Sequence, residues 1–146
     1  MTTLMAIGGA VTDEDSILFQ EFIRRAGGAK ARIVILPQAS GEKNTGKGYS
    51  DVFKSLGLKQ KPIHLEFRQR VEADKKKHLD ALRQATGIFI AGGTQMRITA
   101  IVGGTEFEQE LLAAYQRGVV IAGTSAGTAV MSRNHACVWQ RRSNST

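Results

Sequence analysis

A single cysteine, Cys137, rules out an internal disulfide framework and offers no cysteine cluster to a metal. No apolar run approaches the ~20 residues that cross a bilayer as a helix. Aromatic residues make up only 6% of the chain, and they are sparse around its basic segments, which leaves specific nucleic-acid recognition without stacking platforms. Histidine is scarcer: His64, His78 and His135 are the whole supply. Repeats, low-complexity stretches and linkers are missing too, so 146 residues read as one domain with one core. The N-terminus runs into a strand pattern at residues 4–7 with no basic start and no cleavage-like segment, which predicts a cytoplasmic protein with no membrane association.

The net charge of +7 is the first positive feature. Basic residues gather between Lys54 and Arg83 and again at Arg133, Arg141 and Arg142. Lys75, Lys76 and Lys77 stand beside Asp74 and Asp80 at the start of a predicted helix, the pattern of a solvated face.

Short apolar runs alternate with helical periodicity along the chain. Strands are expected at residues 4–7, 32–36, 63–67, 87–90 and 119–122; helices at 13–26, 49–56, 74–85, 95–101 and 106–117. Ile17, Leu18, Phe22 and Ile23 recur at three- and four-residue intervals and predict the buried stripe of the first helix. Near-continuous apolar strands fit a parallel sheet covered on both faces. The expected fold is therefore α/β: a doubly wound, mostly parallel sheet in three layers. In such sheets the working groups collect at the carboxyl ends of the strands. Three loops are placed there: Gly8-Gly9-Ala10, Pro37-Gln38-Ala39-Ser40 and Ala91-Gly92-Gly93-Thr94-Gln95.

The most informative segment is Gly123-Thr124-Ser125-Ala126-Gly127. It follows the run Val119-Val120-Ile121-Ala122 and precedes the helix-compatible Thr128-Ala129-Val130-Met131. That is the form of a nucleophile elbow, in which a strand turns sharply into a helix and presents a serine hydroxyl at the apex. The other reading is a plain Gly-rich strand-to-helix turn. As an elbow, Ser125 is the catalytic nucleophile, and the N–H groups of Gly93 and Ala126 form an oxyanion hole. Gln95 is placed to orient a substrate amide and Arg97 to pair with a carboxylate, with a simple turn and a surface role as the alternatives for this loop and for Arg97. A serine hydroxyl needs a base. His135 is the one histidine after Ser125, and ten helical residues would separate the two by about 15 Å, far beyond the ~3 Å a base requires.

Gly41-Glu42-Lys43-Asn44-Thr45-Gly46-Lys47 nearly spells a phosphate-binding loop, but Gly48 stands where a Ser or Thr would ligate magnesium. It reads as a flexible loop on the substrate side. His64 and His78 read as structural or solvent-facing.

The stretches Gly123-Thr124-Ser125-Ala126-Gly127-Thr128-Ala129-Val130-Met131-Ser132 and Gly92-Gly93-Thr94-Gln95-Met96-Arg97, with the opening Ile7-Gly8-Gly9-Ala10, resemble the cyanophycinase and aspartyl dipeptidase family of serine peptidases. The resemblance implies a fold like that of class I glutamine amidotransferases, with serine in place of their cysteine. It implies Ser125 as nucleophile, Gly93 in the oxyanion loop, and Gly92, Gln95 and Arg97 beside the substrate. It also implies hydrolysis of cyanophycin, a polyaspartate carrying arginine side groups, to β-aspartyl-arginine dipeptides, with no cofactor or metal, by a homodimer. Thr94 departs from the acidic or amide residue usual between the glycines and Gln95. The likeness stops at Ser132: residues 133–146 form a polar tail without the later strands that carry the family's base histidine and supporting acid. A truncated sheet with impaired activity is the resulting expectation, with a non-catalytic binding or assembly module, or another serine hydrolase, as the alternatives.

Overall fold

The computed structural model describes residues 3–7 and 13–124. Five strands, β1 (Thr3–Ile7), β2 (Ile33–Leu36), β3 (Ile63–His64), β4 (Gly87–Ile90) and β5 (Val120–Thr124), form one sheet in the order β1-β5-β4-β2-β3, with every neighbouring pair parallel. The helices are α1 (Asp13–Arg25), α2 (Thr45–Ser55), α3 (Lys76–Gln84), α4 (Gln95–Val102) and α5 (Glu106–Gln116). The expected α/β architecture is present.

The topology decides which face each helix covers. From β1 the chain moves across the sheet to β2 and then to β3; from β3 it reverses to β4 and β5. Right-handed crossovers put helices on opposite faces when the direction of travel reverses. The side chains follow suit. Ile33, Ile35, Phe89, Val120 and Ala122 pack in one cluster with Phe19, Phe22, Ile23 and Phe53 of α1 and α2. Val34, Leu36, Ile88, Ile90 and Ile121 pack in the other with Leu79, Leu82, Ile98, Phe107 and Leu111 of α3, α4 and α5. Alternate residues of one strand thus feed two cores, as the two-residue period of a strand requires. All residues of β2 and β4 are consequently buried.

Phe89 anchors the first cluster. Its ring centroid lies 4.6 to 6.2 Å from those of Tyr49, Phe53, Phe19 and Phe22, in edge-on or tilted arrangements that suit the ring quadrupoles.

Three expectations are corrected. The buried stripe of α1 is Phe19, Phe22 and Ile23, continued by Ala26 just past its end, whereas Ile17 is 66% exposed and Leu18 lies at the surface too. Both stripes obey helical spacing; the aromatic contacts to α2 and β4 select the one centred on Phe19. The strand expected over 63–67 is confined to Ile63–His64. In the parallel register Val34↔Ile63 and Ile35↔His64, the Leu65 N–H reaches the Ile35 carbonyl at 3.0 Å, and the next ladder donor to Leu65 would be residue 37. That residue is Pro37, which has no N–H. The Gln38 side chain substitutes: its Nε2 donates to the Leu65 carbonyl at 2.6 Å and to that of Phe67 at 3.3 Å. The segment stays docked although the ladder ends. Finally, the loop expected over 41–47 is shorter, because α2 already begins at Thr45.

Phe89→Ala should cost about 3–5 kcal/mol of unfolding free energy, the range for truncating a fully buried phenylalanine. Urea unfolding monitored by circular dichroism measures it; a loss below about 1 kcal/mol would show that the five-ring cluster closes over the gap.

Candidate active site

Because all five strands are parallel, their carboxyl ends lie on one edge of the sheet. Ile90 of β4 pairs with Gly123 of β5, Leu36 of β2 with Ile90, and Ile7 of β1 with Thr124. The loops after β2 and β4 therefore leave the sheet side by side, next to the end of β5. They also part company there, since β2 leads to α2 on one face and β4 to α4 on the other. A reversal of this kind between neighbouring parallel strands opens a crevice where ligands of such sheets bind.

At that point the two loops touch. The Thr94 N–H donates to the Ala39 carbonyl at 2.8 Å. Gly93 adopts φ +152°, and a Cβ on it would overlap the Ala39 carbonyl and come within 2.8 Å of the Ser40 nitrogen. Only glycine meets both demands. Gly93 is exposed, and among the described residues its N–H has no hydrogen-bond acceptor. A free, fixed backbone donor at the carboxyl edge is what an oxyanion hole needs.

Arg97 lies in the first turn of α4 and is exposed. Its guanidinium carbon stands 3.0 Å from the place a Cβ on Gly41 would take, so the loop after β2 seats the arginine head group. No carboxylate among the described residues pairs with it. Gly92 is half-buried in the same loop and Gln95 opens α4. Ser125 and Ala126 lie outside the described residues, as do Gly8-Gly9-Ala10 and the tail over 133–146; the described chain reaches Thr124, one residue before the serine.

The near-phosphate loop does not form a phosphate site. Gly46 sits in the first turn of α2 against the Glu66 carboxylate, whose Cδ is 3.0 Å from the position of a Cβ, and a fixed negative charge there repels phosphate. His64 is exposed with its Nδ1 2.9 Å from Glu66 Oε1. His78 is buried against Phe67, with its Nδ1 2.7 Å from the Glu72 carbonyl oxygen. Both are structural or surface groups. Among the described residues no group of three or more His, Cys, Asp or Glu side chains is arranged to hold a metal, and no helix is long and apolar enough to cross a membrane. A groove of about 620 Å³, lined by Ile63, His64, Glu66, His78 and Asp80 among others, lies at the outer flank of β3 and α3, three strand positions from β5. The displaced titrations are also remote. Hydrogen bonds from Arg24, then Arg25, pull the Glu21 carboxyl to about 2 on α1, and Glu110 raises Arg83 on α3.

The profile of peptidase family S51 matches residues 4–142. The chain belongs to peptidase family S51. Cyanophycinase of Synechococcus elongatus is 37% identical over 134 residues, which cover 88% of this chain and 40% of that relative. Cyanophycinase of Geminocystis herdmanii (strain PCC 6308) is 32% identical over 139 residues, 91% of this chain and 50% of the relative. The S51 chain therefore spans roughly half or less of the length of these curated relatives. Among solved structures, a peptidase from an acI-B1 actinobacterium superposes with a TM-score of 0.70 at 20% identity, covering 87% of this chain and 55% of that one. A peptidase E-like protein of Listeria monocytogenes EGD-e gives 0.60 at 22% identity, covering 87% and 60%. Both share the fold.

Sequence reasoning named Gly92, Gly93, Gln95 and Arg97 but gave no part to Gln38 or Arg68, the side chains that hold the neighbouring loop. Neither belongs to a short motif; each acts through carbonyls some 26 to 31 residues away along the chain.

Gly93→Ala should lower stability by about 1–3 kcal/mol, through a strained φ and overlap with Ala39, and should speed exchange of the Thr94 amide. Gly48, within α2 and with open space around it, gives the contrast: Gly48→Ala should stabilise by roughly 0.5–1 kcal/mol. Thermal unfolding of the two variants, with amide exchange at Thr94, checks the pair.

Proposed function

We propose that this S51 chain carries the nucleophile half of a serine-type exopeptidase that hydrolyses aspartyl or β-aspartyl-arginine peptides through an acyl-enzyme on Ser125. The observation that carries the reading is the Gly93 N–H, unpaired among the described residues and fixed at the carboxyl edge beside the end of β5, one residue before the serine. The Ser125 oxygen attacks the amide carbonyl, and the carbonyl oxygen gathers negative charge between the N–H groups of Gly93 and Ala126. The C–N bond then breaks, the leaving amine takes up a proton, and water releases the acyl group. Gln95 orients the amide. Arg97, with no acidic partner among the described residues, receives a substrate carboxylate, which suits an aspartyl peptide. By resemblance the enzyme uses no cofactor or metal and acts as a homodimer.

The base is the weak point of the 146-residue chain. His64 stands on β3, three strand spacings or roughly 14 Å from β5, and the His78 ring is engaged at Glu72. Of the histidines among the described residues, neither is therefore placed at the end of β5. Turnover by the chain alone is therefore expected to fall roughly 10⁴-fold or more below that of a serine peptidase with a complete triad. The same observation favours one other reading, a binding or assembly module that keeps the pocket without the chemistry.

A fluorophosphonate probe separates the two. The peptidase reading predicts a slow, single adduct on Ser125, absent from Ser125→Ala, together with weak hydrolysis of β-aspartyl-arginine. No adduct at any probe concentration would leave the binding module standing; rapid turnover would show that a base is supplied after all.

A further inference from the structure

We propose that Arg68 is the positioning residue of the oxyanion loop. Its guanidinium makes three hydrogen bonds to one short segment: Nη1 donates to the carbonyls of Pro37 at 3.0 Å and Ser40 at 2.6 Å, and Nη2 to that of Glu42 at 3.2 Å. The carbonyl it leaves out between Pro37 and Ser40 on the Gly93 side is that of Ala39, which accepts the Thr94 N–H. Gathering the carbonyls on either side of Ala39 around one cation keeps the Ala39 oxygen turned the other way, toward β4. That oxygen is also the wall against which Gly93 closes. Arg68 therefore acts on Gly93 through a single intervening residue of the loop.

The arginine is itself held in place. Glu66 Oε2 lies 3.6 Å from its Nη2, and the same carboxylate is fixed by His64 at 2.9 Å and by its seat against Gly46. Within the loop, Ser40 Oγ contacts Thr45 Oγ1 at 2.6 Å and accepts the Glu42 N–H at 3.1 Å. A planar fork with several fixed donors can span three carbonyls; a lysine ammonium at the end of a flexible stem cannot hold all three in one geometry. Among the described residues the polar partners of Arg68 are loop carbonyls and Glu66, so its effect is on the placement of the donor. The inference rests on the reading of Gly93 as the oxyanion donor given above.

The test uses Arg68→Ala and Arg68→Lys in the 146-residue chain, with Arg70→Ala as control. Arg70 bonds the Gly103 carbonyl at the far end of α4, so its removal deletes an arginine–carbonyl bond without touching this loop. Amide exchange at Thr94 and the kinetics of Ser125 labelling by a fluorophosphonate are measured in each. Arg68→Ala should speed Thr94 exchange about tenfold or more and slow the limiting labelling rate roughly 10- to 100-fold, the scale of a misplaced oxyanion donor, while the half-saturating probe concentration stays unchanged. Arg68→Lys should move both readouts in the same direction, and it carries the test alone should Arg68→Ala fail to fold. Arg70→Ala should match wild type in both. Wild-type exchange at Thr94 in the Arg68 variants overturns the inference, as does faster exchange with undiminished labelling. A wild-type chain that never labels overturns the peptidase reading and this inference with it, whereas labelling that is indifferent to Arg68 overturns this inference alone.

Discussion

The hydrogen bond from the Thr94 N–H to the Ala39 carbonyl joins the loop after β2 to the loop after β4, and the candidate site is organised around it. Two parallel strands whose chains depart to opposite faces would leave a gap at their carboxyl ends. This bond closes the gap at its base, with Gly93 fitted where any side chain would collide. Everything assigned to the site on the described side, from the free Gly93 N–H to the seat of Arg97 on Gly41, takes its position from those two loops meeting.

The loops are held from below by a sheet that is buried on both faces. β2 and β4 alternate their side chains between two clusters, so neither can shift by one residue without exchanging its cores. The rings packed around Phe89 and the cluster of Leu36, Ile90 and Ile98 thereby fix the heights at which the two loops begin. From above, Gln38 and Arg68 bind the loop after β2 to the segment after β3, where Pro37 has ended the ladder. One face of the loop is thus tied by polar side chains and the other by the Gly93 contact. Side-chain hydrogen bonds replace backbone pairing where the proline prohibits it.

Much of this was legible in the residues. The strand–helix alternation, the parallel sheet, both bounds of β4 and the start of α5 follow from apolar periodicity, and the glycine motifs pointed to the family whose model matches residues 4–142. The face of α1 was misread, since Ile17, Leu18, Phe22 and Ile23 satisfy helical spacing as well as Phe19, Phe22, Ile23 and Ala26 do. Spacing defines a stripe only up to a rotation, and partners on other elements select it. The end of β3 was missed because the deciding residue, Pro37, lies just past the neighbouring strand β2, some 26 residues earlier in the chain.

What the sequence determined by itself is chemistry and local form: which segments are strands or helices, which glycines open a turn, and which residue types suit acyl transfer. These depend on neighbours within a few positions, so the linear order contains them. The tertiary structure alone decided which loops meet, that the Ala39 carbonyl faces Thr94, and that Arg68 has three carbonyls within reach. Those facts arise from strand order and register, which bring together residues dozens of positions apart, and no local pattern encodes such distances.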